Sequence, residues 1–186
     1  MLRRIWTIST VLSFSRIALL APLAYFLFAN VPSNRVWAAG VMLLAAATDF
    51  LDGYLARRLH QVTDFGKIID PLADKIAVGA ATIMLVMVGA LQFWYVALVI
   101  VRDVLILLGG LYIRSKKNII TQSNWPGKIA VFFVTLVMLL AILNQPALEG
   151  LTQVIIWASV VLMGASFVIY VQRLFVGNSR AKKGHS

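Results

Sequence analysis

Apolar runs long enough to cross a bilayer recur along the whole chain, and no other feature limits its fold as strongly. The run at 76–101 is one example; about 20 predominantly apolar residues suffice for a membrane helix. Inside lipid the backbone N–H and C=O groups find no water, so such runs are stable only as helices or as closed barrels. Here the apolar residues come in blocks and do not alternate with period two, which argues against a barrel. Composition argues against a soluble core. Of the 186 residues, 61% are hydrophobic and only 13% charged, which leaves too little polar surface to cover one. The expected fold is an all-α integral membrane protein, with residues 1–186 as one domain and no room for an appended soluble one. There is no cysteine, so disulfides, thiol chemistry and Cys-ligated zinc are excluded.

Six spans are expected, at 9–29, 34–57, 66–89, 91–113, 126–143 and 151–171. The net charge of +10 is distributed unevenly around them. Arg3 and Arg4 precede the first span. Arg57, Arg58 and Lys67 surround the connection after the second, and Arg114, Lys116, Lys117 and Lys128 the connection after the fourth. Arg173, Arg180, Lys182 and Lys183 follow the last. Arg35 alone lies on the other side, and Arg16, Lys75 and Arg102 fall within spans. The positive-inside rule then places both termini in the cytoplasm, in agreement with an even number of spans. No small-x-small site follows the first span, and Pro22 interrupts it, so it does not read as a cleavable signal. Residues 1–8, MLRRIWTI, suit a short helix lying along the inner interface. The basic tail, about 173–186, ends in GNSRAKKGHS, which reads as a disordered segment attracted to anionic lipid. No aromatic residues are interleaved with its charge, so nucleic acid is not an expected partner. His60 and His185 read as ordinary loop histidines.

The carboxylates carry the chemistry. There are seven: Asp49, Asp52, Asp64, Asp70, Asp74, Asp103 and Glu149. Asp49 and Asp52 are three apart and share a face of the second helix; Asp70 and Asp74 are four apart and share a face of the third. If these helices are antiparallel neighbours joined by a short loop, all four meet at one depth near the inner interface. Four anions in a low dielectric repel and take up protons unless compensated. Two divalent cations are the simplest compensation, and oxygen-only ligands suit magnesium or manganese, or else calcium. A plainer reading has the four snorkelling to water or pairing with Arg57, Lys67 and Lys75. Ionisable residues inside a span are costly, however, and two paired spacings favour function. Gly53 and Ala56 follow Asp52 and leave room for a close approach; Gly66 opens the third helix, where it serves a turn or a helix contact equally well.

The stretch 49–74, DFLDGYLARRLHQVTDFGKIIDPLAD, resembles the signature of the CDP-alcohol phosphotransferases, D-x2-D-G-x2-A-R-x8-G-x3-D-x3-D. Asp49, Asp52, Gly53, Ala56, Arg57, Gly66, Asp70 and Asp74 match it position by position. The longer agreement in TDFLDGYLARR and IDPLADK is similar to the branch that holds phosphatidylglycerophosphate synthases and eukaryotic-type cardiolipin synthases. The resemblance implies attack of an alcohol oxygen on the β-phosphorus of a CDP-linked lipid, with release of CMP. It implies two Mg2+ or Mn2+ ions on Asp49, Asp52, Asp70 and Asp74, with Asp74 also the general base. It implies CDP-lipid contacts from Asp52, Gly53, Ala56, Arg57 and Gly66, with Arg57 on the diphosphate. Thr10, Ser13 and Arg16 occupy the stretch that in relatives reads P-N-x-x-T-x-x-R and helps line the nucleotide site. Here Ser9 and Thr10 stand for the Pro and Asn, and Ser13 for the Thr; such hydroxyls also often bond a backbone carbonyl.

For the acceptor, Arg102, Arg114 and Lys128 are the candidates to hold a phosphate. A salt-bridged Arg102–Asp103 neighbourhood with positive-inside anchors at Lys116 and Lys117 is the ordinary alternative. Relatives that use glycerol 3-phosphate often show G-K-x-K-T in the fifth span. This chain has Gly127-Lys128-Ile129-Ala130-Val131, without the second Lys and the Thr. The leading expectation is phosphatidyl transfer from CDP-diacylglycerol to glycerol 3-phosphate, in a bacterial inner (plasma) membrane with the site facing the cytoplasm. Transfer to phosphatidylglycerol, as in cardiolipin synthesis, comes next, then an inositol phosphate acceptor. Relatives are dimeric, so the resemblance implies a homodimer. Outside this class, a divalent-metal transporter would want acidic groups spread across the bilayer or at its midplane, whereas these cluster near one face. Asn in place of Asp49, Asp52, Asp70 or Asp74 is expected to abolish turnover or nearly so. Asp64→Asn should be close to neutral, because Asp64 lies outside the signature. Magnesium-dependent lipid product from each purified variant checks this, and substantial turnover by Asp70→Asn would remove the two-metal assignment.

Overall fold

Where apolar surroundings replace water, a helix must satisfy its own backbone groups, and the helix ends of this chain show how that is done. The computed structural model describes residues 14–29, 32–59, 66–117 and 125–182. A helical segment at 14–18 leads into α1 (Leu20–Phe28). Then follow α2 (Pro32–Leu59), α3 (Gly66–Met87), α4 (Phe93–Lys117), α5 (Trp125–Leu143) and, after a 3-10 turn at Pro146–Leu148, α6 (Glu149–Lys182). All regular structure among the described residues is helical. Pro22 has no N–H to offer the carbonyl of Ala18, and the helix loosens at Leu19 without ending. Leu19 N–H still donates to Ser15 O (2.9 Å) and Leu23 N–H to Leu19 O (3.2 Å). Gly89, at φ 70°, closes α3 in a Schellman arrangement. Ala90 N–H reaches Leu85 O (2.8 Å) and Gly89 N–H reaches Val86 O (2.9 Å). Asn144, at φ 46°, ends α5 by the simpler left-handed cap, its N–H on Leu140 O at 3.0 Å. Arg35 Nη1 donates to Ile142 O (3.4 Å), placing a cation on the negative end of α5.

The described residues fall into two compact units, one taking the chain up to Val96 with Met138–Pro146, the other taking Ala97–Val137 and the chain from Ala147. In the first, α1 packs against both α2 and α3. The buried stripe of α3 is Ala73, Ala77, Ala81 and Leu85, one residue per turn, while Leu72, Ile76, Ile83 and Met87 are exposed. Small residues inside and large apolar ones outside is the pattern of helices that associate by close backbone approach in lipid. Thr82, fully buried, returns its hydroxyl to Val78 O and Gly79 O, both at 2.9 Å. In the second unit, Arg102 bonds Ser166, and one turn further along each helix Ile106 O accepts from Tyr170. Equal steps in the same sense mean that α4 and α6 run parallel, as alternate helices of an up-and-down chain do.

Of the six expected spans, two helices among the described residues are long and apolar enough to cross a membrane, at Phe93–Gly110 and Pro146–Gln172. Phe14–Phe28 and Gly127–Leu143 are apolar but shorter. α2 and α3 carry the aspartate signature within their lengths. The interfacial helix expected at 1–8, and Ser9 to Ser13 of the first span, lie outside the described residues. The tail differs from expectation: α6 continues through Arg180 to Lys182 instead of ending in disorder after Val176. Extension of an existing helix needs no new nucleus, and no proline stops it there.

At Gly109 the side chain of Tyr170 from α6 lies against α4. A Cβ at this position would stand 2.8 Å from Tyr170 Oη and 2.9 Å from its Cε1. Gly109→Ala is therefore expected to displace Tyr170 and its hydrogen bond, at about 1–3 kcal/mol. In a Tyr170→Ala background the same change should be neutral or stabilising, since Ala favours a helix over Gly by about 1 kcal/mol. Thermal unfolding of the four proteins in detergent checks the non-additivity.

Candidate active site

The aspartates occupy the joined ends of α2 and α3. Asp49 and Asp52 lie one turn apart in the last third of α2, and Asp70 and Asp74 one turn apart at the start of α3. At 1.5 Å per residue, all four are within about 6–15 Å of the ends at Leu59 and Gly66. α1 packs on both of these helices. Asp74 has its side chain described. It forms an ion pair with Arg16, Nη1 to Oδ1, which joins the first helical segment to α3. Arg16 is 6% exposed and the Asp74 side chain 39%. Asp74 Oδ1 is itself buried, so the open part of the carboxylate is the part turned away from the guanidinium. Sequence reasoning groups Arg16 with the nucleotide-lining stretch and misses this contact. The available signal is a lone cation in one apolar segment and a carboxylate in another.

The side chains of Asp49, Asp52, Gly53, Ala56, Arg57, Gly66 and Asp70 lie outside the described residues, as do Thr10 and Ser13 altogether. Among the described residues no group of three or more His, Cys, Asp or Glu side chains comes together. The donor chemistry nonetheless suits divalent cations. The signature positions bring only carboxylate oxygens, and the Asp74 side chain stays 39% exposed beside Arg16.

The acceptor candidates sit on α4 and α5. Arg102 Nη1 donates to Asp103 Oδ1 (2.6 Å) and Nη2 to Ser166 Oγ (3.1 Å). The Arg102 and Asp103 side chains are 11% and 16% exposed. Ser166, fully buried on α6, is a partner that sequence reasoning misses; a serine in an apolar helix is the only sign of it. Arg102 Nε is buried without a hydrogen-bond partner, so the guanidinium keeps donor capacity beyond its two contacts. Lys128 is exposed, its ammonium 5.5 Å from the centre of the Trp125 ring. Arg114 is on α4, and its side chain lies outside the described residues.

A helical chain whose two aspartate pairs sit at one helix–helix connection fits a lipid phosphotransferase acting at a membrane. Residues 6–165 match the CDP-alcohol phosphatidyltransferase family, and the chain belongs to it. Over 100 residues it is 37% identical to the CDP-diacylglycerol–glycerol-3-phosphate 3-phosphatidyltransferase of Bacillus subtilis (strain 168), covering 54% of this chain and 51% of that protein. Identity to the protein of the same name from Rickettsia bellii (strain RML369-C) is 45% over 74 residues, 40% of this chain and 41% of that one. The chain thus spans about half the length, or less, of these two relatives. With the Aquifex aeolicus (strain VF5) protein of that name it shares 31% identity over 177 residues, 90% of this chain and 96% of that one.

Removing Asp103 would strand a largely buried cation. Asp103→Ala is expected to lower stability by about 1–3 kcal/mol, and Ser166→Ala by less, since it removes a neutral partner. Chemical denaturation in detergent, monitored by tryptophan fluorescence, reads both.

Proposed function

We propose that the protein transfers a phosphatidyl group from CDP-diacylglycerol to glycerol 3-phosphate, giving phosphatidylglycerophosphate and CMP. The observation that carries this is the placement of the signature aspartates at the joined ends of α2 and α3, with Asp74 at hand there as a partly open carboxylate. The names of the relatives, one matched over nearly its full length, support the same donor and acceptor. In this reading the chain is one membrane domain of six spans. Both termini and the site face the cytoplasm across a bacterial inner membrane, and the protein works as a homodimer.

Asp49, Asp52, Asp70 and Asp74 would hold two Mg2+ or Mn2+ ions, which would supply positive charge to the phosphate and the departing CMP. Arg57 pairs with the diphosphate, while Gly53, Ala56 and Gly66 leave space for the nucleotide beside Asp52. Thr10 and Ser13 complete the nucleotide contacts. Asp74 takes the proton of the acceptor hydroxyl as its oxygen bonds to phosphorus and the bond from phosphorus to the CMP oxygen breaks. Arg102, Arg114 and Lys128 hold the acceptor phosphate. Among them, the unpaired Nε of Arg102 is the strongest support for an anion there.

Glycerol 3-phosphate has no acyl chains, so its binding rests on cations and hydrogen bonds. Each charge-assisted contact is worth roughly 1.5–3 kcal/mol, which converts to about one to two powers of ten. Arg102→Ala or Lys128→Ala is accordingly expected to raise KM for glycerol 3-phosphate by that factor and to leave KM for CDP-diacylglycerol nearly unchanged. Purified protein with CDP-diacylglycerol and magnesium, offered a panel of alcohols and scored by lipid product and CMP, provides the test. Cardiolipin from phosphatidylglycerol, with no use of glycerol 3-phosphate, would replace the acceptor. The Arg102–Asp103 pair and the missing second lysine after Lys128 favour that outcome next. No CMP from any alcohol would remove the reaction.

A further inference from the structure

We infer that Arg16 is a positioning residue for the transfer proposed above, on which this inference rests. It clamps one oxygen of Asp74 and so turns the other toward the acceptor hydroxyl. The first ground is burial. A guanidinium 6% exposed on an apolar helical segment stays there only against an anion that meets it. The anion it meets is Asp74, from a helix that begins fifty residues further along the chain.

The second ground is the asymmetry of the carboxylate. Oδ1 faces Arg16 and is buried, whereas the side chain as a whole is 39% exposed. Arg16 thus covers one oxygen of a carboxylate whose side chain is otherwise partly open. The third is the planar fork of arginine, which sets the plane of a bound carboxylate where a lysine supplies only a point charge. A base must present its lone pair within hydrogen-bond reach of the proton it takes, so fixing that plane bears on the chemical step. In this inference Arg16 acts on the reaction through Asp74 and not through the nucleotide.

Arg16→Ala, Arg16→Lys, Asp74→Asn and Arg16→Ala/Asp74→Asn in the full-length protein test this. Three readouts are needed: kcat and KM for CDP-diacylglycerol, single-turnover rate, and Mn2+ affinity by paramagnetic titration without substrate. Arg16→Ala is expected to lower kcat about 10–100-fold while KM for CDP-diacylglycerol and Mn2+ affinity stay within about threefold. Arg16→Lys should recover part of the loss in kcat. The double variant should be no slower than Asp74→Asn alone, because no carboxylate is left to orient. A raised KM for CDP-diacylglycerol with kcat retained would place Arg16 on the nucleotide and overturn the inference. Parallel loss of Mn2+ binding and thermal stability would make it a helix–helix staple and overturn it equally. If Arg16→Ala does not fold, Arg16→Lys decides by the same split between kcat and KM. A parent protein that releases no CMP fails the reaction itself, an outcome distinct from a parent that turns over and an Arg16→Ala variant that turns over equally well.

Discussion

A charge held among apolar helices persists only beside an opposite charge, and the organisation of this protein follows from that constraint. Arg16 and Asp74 come from different helical segments and form an ion pair across them. Their pairing ties the start of the chain to the start of α3, the end of the unit where the other signature aspartates also lie. Arg102 and Asp103 solve the same problem locally, as sequence neighbours, with Ser166 taking one further donor. The two pairs differ in what remains open. The first leaves a carboxylate partly exposed; the second leaves a buried guanidinium nitrogen without a partner.

The packing serves these polar contacts. Alanines at 73, 77 and 81 let α3 approach its neighbours closely, which places the carboxylate one residue beyond Ala73 within reach of Arg16. Gly109 does the same for α4, admitting Tyr170 against a backbone where any side chain would collide. Large apolar residues face outward along the same helices, among them Trp37, Ile76, Phe132 and Trp157. Helix ends are closed by left-handed Gly89 and Asn144 and by Arg35. Arg35 stands out in the sequence as a cation on the side with few of them, and its hydrogen bond to Ile142 gives it a local purpose at the end of α5.

Much of this is legible beforehand. Apolar blocks locate the described helices to within several residues, because a chain without water must form helices wherever it is apolar. The third span, expected to end at 89, ends as α3 at Met87, where Gly89 takes the left-handed conformation without strain. The signature from Asp49 to Asp74 locates the candidate site, as its i, i+3 and i, i+4 spacings hold on any helix. The tail misleads because its polar composition suggests disorder, whereas a long apolar helix extends into such residues at little cost. Apolar length sets the expected number of spans at six, of which two are long and apolar enough among the described residues.

What the sequence determined by itself is therefore what depends on neighbours along the chain: helices, their caps, shared faces and the family signature. What only the tertiary structure decided is which distant charge answers which. Arg16 could have met any of several carboxylates or a nucleotide, and nothing along the chain tells that Arg102 meets Ser166 of α6 as well as Asp103. Pairing between segments depends on how helices pack, and that depends on the sizes of many small contacts summed across the unit. No spacing along one helix encodes it, so the partner of Asp74 became visible only when α3 and the first helical segment were brought together.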